Sequence, residues 1–358
     1  MTPNSLASQL AWAVPYLTAD TPGIGGTIRV EIDDFIVDEV PAYEPCGEGE
    51  HTYFGIEKRG VNTMDVANEI ARALSLRSRD VSFAGLKDAR AVARQTFCVH
   101  NVPQDTIEAL ELTQARVLWV SRHRNKLRIG HLRGNRFTIR IRDTAPDAMA
   151  NAGVVLPTLA RRGVPNAYGP QRFGNRGDNH IVGYHLLRHD YNALREIGVR
   201  RPRGRMANFY VSALQSALFN QVVAARITAG TLDTVITGDV AKKEDTGGIF
   251  TIENADVEAP RADTWGISPT GPIYGYKMMQ AQADAGEIEA RILAEAGIAP
   301  DDFRAVKAKG LRRPMRYNPE SLTWELKDDN CLVVSFFAPK GSFATMLLRE
   351  LMKVPGIR

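Results

Sequence analysis

A carboxylate set among cations makes Ala84-Gly85-Leu86-Lys87-Asp88 the part of this 358-residue chain best equipped for chemistry. The apolar stretch 81–86, read as a buried strand, ends near a glycine and delivers Asp88 beside Lys87, with Arg90 and Arg94 close behind. Positive neighbours favour the ionised carboxylate, the form that suits a nucleophile or a base and not a general acid. The same residues also suit a plainer role, with Asp88 as the N-cap of a helix over 89–95. Other chemistries lack their parts. There is no Gly-x-x-x-x-Gly-Lys phosphate loop, and Gly23, Gly25 and Gly26 fail to complete a dinucleotide fingerprint because position 28 is Ile. Neither His-Glu-x-x-His nor Gly-x-Ser-x-Gly occurs. His185 and His189 stand four apart on an expected helix, a spacing that could share a metal. Asp190 would point off their face and no cysteine is near, so they read as surface or core histidines. An enzyme built from this chain works with ordinary side chains, without metal or cofactor.

The elements that must position Asp88 follow from hydrophobic period and turn chemistry. Residues 27–39 and 51–57 read as strands, separated by a turn-rich loop at 45–50. Asn62 or Thr63 caps a helix to about residue 76, with Val66, Ile70 and Leu74 on one face. Strands fit 96–99, 116–121, 127–130 and 136–142. A helix fits 146–161, with Gly153 and Pro157 as points of interruption. Beyond Gly163 helical patterns dominate to about residue 309, the longest at 207–229. A Gly/Pro-rich linker is read at 266–275, a last strand at 331–338 and a last helix at 342–353. The last strand resembles the first part of the chain in texture, which suggests one domain interrupted by another.

Charge is sorted along the chain. The net charge is only +4, but the segment 30–57 carries nine acids and no Lys or Arg. The segment 112–142 carries nine Lys or Arg and no acid, and Arg200, Arg201, Arg203 and Arg205 form a second basic knot. Such runs are either solvated faces that pair with one another or a phosphate-binding surface. The alternation of Leu127, Ile129, Phe137, Ile139 and Ile141 with basic residues places Arg and Lys on one face of a sheet. No run of about 18 apolar residues is present, so no membrane span is expected. The apolar run 10–17 lacks the basic flank of a signal peptide. Cys46, Cys98 and Cys331, odd in number and far apart, suit a reducing cytoplasm.

Several strings, each weak alone, occur in a specific order. They are Asp34-Phe35-Ile36-Val37, Gly47-Glu48-Gly49-Glu50-His51, Lys58-Arg59-Gly60-Val61-Asn62-Thr63 and Phe83-Ala84-Gly85-Leu86-Lys87-Asp88. Gly134-Asn135-Arg136-Phe137, Gly163-Val164-Pro165-Asn166, Gln171-Arg172-Phe173-Gly174 and Gly341-Ser342-Phe343-Ala344-Thr345 follow. Together, from about residue 24 to about 352, they resemble the TruD family of tRNA pseudouridine synthases. The chain departs from the family pattern at Ala167, often an aromatic, and at Ala93, often Thr. The resemblance implies a mixed α/β (α+β) pseudouridine-synthase catalytic fold in residues 1–162 and 310–358, with a family-specific α/β domain inserted at 163–309. It implies isomerisation of a uridine, in bacteria the one at position 13 of tRNA(Glu). It makes Asp88 the catalytic aspartate, whose route on C1′, C6 or the C2′ proton stays open. It makes Phe35, Asn135 and Phe343 uracil-binding positions, with Phe137 beside Asn135 in the same motif. Apart from the resemblance, Arg29 or Lys87 is read as the cation that holds Asp88 ionised. The partner would be tRNA, met in the cytoplasm by a monomer needing no cofactor, membrane or obligate protein partner. A non-catalytic tRNA-binding or tRNA-folding protein on the same scaffold, or an Asp-dependent base glycosylase, are the rival readings.

Overall fold

The computed structural model describes residues 12–327 and 330–356; of the apolar run 10–17, residues 10 and 11 lie outside them. The chain divides into two compact units, one of residues 23–153 and 319–344, the other of 12–22, 154–318 and 345–356.

The first unit is built on a nine-stranded sheet. Its strands are β1 (Gly25–Ile28), β2 (Phe35–Pro41), β3 (His51–Arg59), β4 (Ser82–Phe83), β5 (Val92–His100), β6 (Ala115–His123), β7 (Leu132–Thr144), β14 (Glu320–Lys327) and β15 (Cys331–Pro339). The order is β14-β15-β7-β2-β5-β3-β6, with β1 on β7 and β4 on β5. β2 and β5 run parallel, whereas β2 with β7, β7 with β15 and β3 with β5 are antiparallel. Alternation sorts the two faces. Phe35, Val37, Phe137, Ile139 and Phe336 meet on one face through directly opposed pairs. Farther along the sheet this face is covered by helix α1 (Thr63–Ala73), where Val66 and Ile70 pack against Phe54, Ile56 and Phe97. The expected cap is present: Asn62 Oδ1 accepts the Asp65 N–H at 2.9 Å.

The opposite face carries the charges. Arg94 bonds Asp38 at 2.9 Å and Glu57 at 2.8 Å, and Arg116 bonds Glu57 at 3.0 Å. Arg142 closes on buried Asp34, and Arg124 pairs with Glu48. Much of the acid-only segment is thus the counter-charge of the basic one. Two further β7 cations, Arg136 and Arg140, are exposed on this same face, away from Asn135 and Phe137.

Several sequence expectations are corrected. The strand at 27–39 is two strands, broken at 29–34 by Arg29 in the left-handed region (φ 59°) and a short 3-10 turn at Ile32–Asp34. Residues 81–86 give only the two-residue β4, and Leu86 is 69% exposed, so the loop is free to turn over the sheet. Residues 127–130 form a turn, with Ile129 81% exposed. Residues 92–95 belong to β5, which removes the helix that Asp88 would have capped.

The second unit contains β8 (Val164–Pro165) paired with β13 (Arg316–Tyr317), and a four-stranded sheet. That sheet has the order β10 (Ile249–Thr251), β9 (Val240–Lys243), β11 (Ile267–Ile273), β12 (Leu311–Pro314). The expected linker at 266–275 is therefore mostly the buried interior strand β11. Its Pro269 and Pro272 read as turn residues, but the register accommodates both. The long helix spans Gly204–Thr228, and the helix Ala148–Arg162 runs through Gly153 and Pro157 unbroken. His185 and His189 share no helix face, because their helix ends at Leu187 and His189 has φ 55°. Among the described residues no helix is long and apolar enough to cross a membrane.

Asp34 gives stability a pH dependence of defined sign. Burial pushes its carboxyl up, but hydrogen bonds from Arg142 and the Glu31 N–H, with the charges of Arg142 and Arg140, outweigh this and hold it below the ordinary value of 3.8. Its contribution is complete above that value and is lost as pH falls through the lower folded one. Asp34→Asn is expected to lower the urea midpoint at neutral pH and to flatten its fall on acidification below about pH 4. Equal midpoints for both proteins at neutral pH would show that the clamp carries no stability.

Candidate active site

The parallel pairing of β2 with β5 sets Ile36 beside Val92. The segments leading into both strands, 29–34 and 84–91, therefore arrive at the same end of the sheet. Arg29 comes from the first and Asp88 from the second, and Arg29 Nη2 lies 2.7 Å from Asp88 Oδ2. The guanidinium also sits 4.1 Å over the Phe35 ring. A left-handed non-glycine residue costs about 1–2 kcal/mol. The ion pair, the ring contact and a hydrogen bond from Arg90 to the Arg29 carbonyl at 3.1 Å hold Arg29 in that conformation. Burial lowers the Arg29 pKa, the Asp88 charge acts the other way and Arg90 adds to the lowering; a guanidinium remains charged throughout.

The Asp88 side chain is 44% exposed, gripped by Arg29 and otherwise open. Its loop is fixed from beneath by groups that are fully buried. Lys58 Nζ donates to the Asp88 carbonyl at 2.6 Å and to the Val61 carbonyl at 2.7 Å. Burial lowers the Lys58 ammonium to about 8; the charge of Asp88 raises it and that of Lys87 lowers it further. Lys87 turns away from Asp88 and pairs with Glu39 at 2.7 Å, both side chains being buried. The Lys87 N–H donates to Thr63 Oγ1, whose hydroxyl donates to Gln95 Oε1, each at 2.9 Å. Among the described contacts the cation that reaches the Asp88 carboxylate is Arg29, and none of its neighbours in sequence does so. Lys87 is committed to Glu39, Arg90 to the Arg29 backbone and Arg94 to the opposite face of the sheet.

Each residue expected at the site has a definite place. Phe35 is fully buried beneath Arg29, and its ring meets Phe137 edge-on at 6.0 Å. Phe137 stacks on Phe336 at 5.4 Å and is buried as well. Asn135 stands between Glu39 and Ala338 in register, and Lys87 ties Glu39 to the Asp88 loop. The glycine before Asn135 is required, since a Cβ on Gly134 would lie 2.2 Å from the Ala338 carbonyl oxygen. Asn135 Oδ1 is buried and has no hydrogen-bond partner among the described residues. Phe343, just beyond β15, is 41% exposed. Lys58 and Glu39 were missed as contributors. The signal for Lys58 was period-two alternation, because Phe54 and Ile56 put it on the inward face of β3. Among the described residues no group of three or more His, Cys, Asp or Glu side chains could hold a metal ion.

Comparison with known proteins covers nearly the whole chain. The family model of tRNA pseudouridine synthase D (TruD) matches residues 12–203 and 198–351. A tRNA pseudouridine synthase D of Thermus thermophilus is 45% identical over 345 residues, covering 96% of this chain and 93% of its own. That of Geobacter metallireducens is 41% identical over 396 residues, covering 94% and 97%. The crystal structure of a tRNA pseudouridine synthase D from Methanosarcina mazei superposes with a TM-score of 0.79, at 26% identity and 98% coverage of both chains. The chain therefore belongs to the TruD family of tRNA pseudouridine synthases.

Proposed function

We propose that this chain isomerises a uridine in tRNA to pseudouridine, with Asp88 as the reacting carboxylate and position 13 of tRNA(Glu) as the target. The observation that carries the reading is Asp88 itself, an exposed carboxylate held by one partly buried arginine on a loop anchored from below. The reaction breaks the C1′–N1 bond and forms a C1′–C5 bond. C5 loses a proton and N1 gains one, so no atom is gained or lost and no electron acceptor is needed. An ionised Asp88 serves an attack on C1′, an addition at C6 or removal of the C2′ proton. In each case Arg29 keeps the carboxylate oriented.

The uridine must leave its stack to reach Asp88, at a cost of a few kcal/mol. Stacking on an aromatic returns about 1–3 kcal/mol. Phe35 and Phe137 are too buried to sandwich a base, so in this reading they form the floor under Arg29. Phe343 has the exposure needed to stack. The unpartnered Asn135 Oδ1 suits the uracil N3–H, and its amide N–H suits a uracil carbonyl oxygen. An unsatisfied buried acceptor costs about 1–3 kcal/mol, so satisfying it with the substrate rewards the correct base. The unit that holds these residues, 23–153 with 319–344, would be the catalytic domain.

Three variants test this reading. Asp88→Asn should reduce pseudouridine formation by about 10³-fold while tRNA binding stays near the parent value; unimpaired formation removes Asp88 from the chemistry. Phe343→Ala should cost about 1–3 kcal/mol in kcat/KM, with turnover hit harder than tRNA binding, and the reverse pattern would exclude base stacking. Lys58→Met should lower kcat by about 10–100-fold through a misplaced loop with KM for tRNA little changed. The parent should also lose turnover as Lys58 deprotonates above about pH 8. A Lys58→Met enzyme that keeps this alkaline limb would show that Lys58 does not govern it.

A further inference from the structure

The site around Asp88 leaves two marked stretches of sequence unused: Gly47-Glu48-Gly49-Glu50-His51, and Lys126 from the basic run. The fold brings them together. At the end of β3 and β5 remote from Lys58 lies a cavity of about 290 Å³, walled in part by His51, His100, Lys126, Arg77, Asp80 and Ser82. His51 and His100 are direct cross-strand partners with ring centroids 4.9 Å apart. Lys58, which touches the Asp88 backbone, lies seven steps along β3 from His51; at about 3.3 Å per step that is about 23 Å. The glycines of the string fasten this end. A Cβ on Gly49 (φ 114°) would lie 2.5 Å from the His123 carbonyl oxygen, so the loop lies flat against that segment. The Gly47 N–H donates to the Arg122 carbonyl at 2.9 Å, and the Asn101 N–H donates to the Glu50 carbonyl at 2.8 Å.

We propose that this cavity is an anion site, which takes a backbone phosphate of the RNA substrate about 23 Å along β3 from Lys58. The proposal rests on the reading of the substrate as RNA. Lys126 has no ion-pair partner among the described residues, and the imidazoles and the Ser82 hydroxyl add donors at the wall. Asp80 is the one acid among the cavity's described wall residues, and Arg77 Nε neutralises it at 3.0 Å. Glu50 Oε2 stands 3.2 Å from His100 Nε2 at the rim. Burial first, then the charges of His100 and Lys126, push the His51 pKa down; Glu50 acts against them and His123 with them. A phosphate would reverse that balance, so binding should draw in a proton and strengthen as pH falls. A site this far from Asp88 would add affinity and register, with no part in the bond-making step.

The test uses the full chain, an unmodified tRNA transcript and inorganic phosphate. Lys126 is exposed, so Lys126→Gln should fold normally. It should weaken transcript binding about 3–10-fold and reduce the salt slope by about one. Parent binding should tighten from about pH 7.5 to about pH 6, and His51→Gln should lose that tightening. Turnover at saturating transcript should be unchanged in both variants. Unaltered affinity, salt slope and pH response in both, alongside an active parent, overturn the site and leave the reaction standing. If inorganic phosphate shifts the His51 ring resonances but the variants bind the transcript as the parent does, the source is free phosphate and the RNA assignment falls. A parent that binds the transcript with the expected variant effects but forms no pseudouridine overturns the reaction and supports the anion site.

Discussion

One parallel pairing in a largely antiparallel sheet determines where Arg29 and Asp88 meet. In an antiparallel pair, the segment entering one strand lies beside the segment leaving the other. β2 and β5 run the same way, so both entering segments lie at one end. Arg29 and Asp88, 59 residues apart in sequence, meet there. The neighbouring antiparallel partners β3 and β7 contribute from their flanks. β3 brings Lys58 under the loop, and β7 brings Asn135 opposite Glu39. Remove the parallel register and the ion pair, the ring beneath it and the loop anchor all lose their common reference.

Electrostatics follows from the same sheet. A chain with net charge +4 has little long-range pull on a polyanion. Pairing across the charged face makes the usable charge smaller still, because Arg94, Arg116, Arg124 and Arg142 are bound to acids from the acid-only segment. Affinity for RNA must then rest on cations left without such partners, placed where phosphates run. Arg201 also leaves the basic knot in part, since its guanidinium lies 3.9 Å over the Tyr191 ring.

What could be read from residues alone divides along physical lines. Period-two and period-3.6 patterns located β3, β7, α1 and the long helix Gly204–Thr228, because burial of one face dictates both pattern and element. Asp88 was legible as a carboxylate among cations, but which cation reaches it was not. Lys87 is adjacent in sequence and points away, whereas Arg29 is remote and points in. That choice depends on a left-handed residue at position 29, which no local propensity favours. β11 was misread because Pro269 and Pro272 signal a turn, and tertiary pairing on both sides overrides that signal. The stretch 127–130 erred the other way: its apolar residues alternate as in a strand, yet Ile129 faces solvent on a turn. Family strings supplied roles for Phe35 and Phe343 that local chemistry could not separate. Burial now distinguishes them, one under Arg29 and the other open.

Asp88 shows how an exposed carboxylate is kept in place. A carboxylate must be accessible to meet a substrate, yet exposed loops are ordinarily mobile. Here mobility is opposed by putting the anchors, rather than the carboxylate, in the interior. The Lys58 ammonium is buried, and the pairing of Lys87 with Glu39 removes two more charges from water. Replacing such groups with apolar side chains of similar volume often stabilises a protein, so stability alone does not account for them. Their common effect is geometric. Lys58 binds the carbonyl of Asp88, Thr63 binds the amide of Lys87, and Glu39 binds the Lys87 side chain. Backbone on both sides of the peptide joining Lys87 to Asp88 is thereby fixed to α1, β2 and β3. These buried charges thus serve position more than stability, the pattern expected if Asp88 has the role proposed for it.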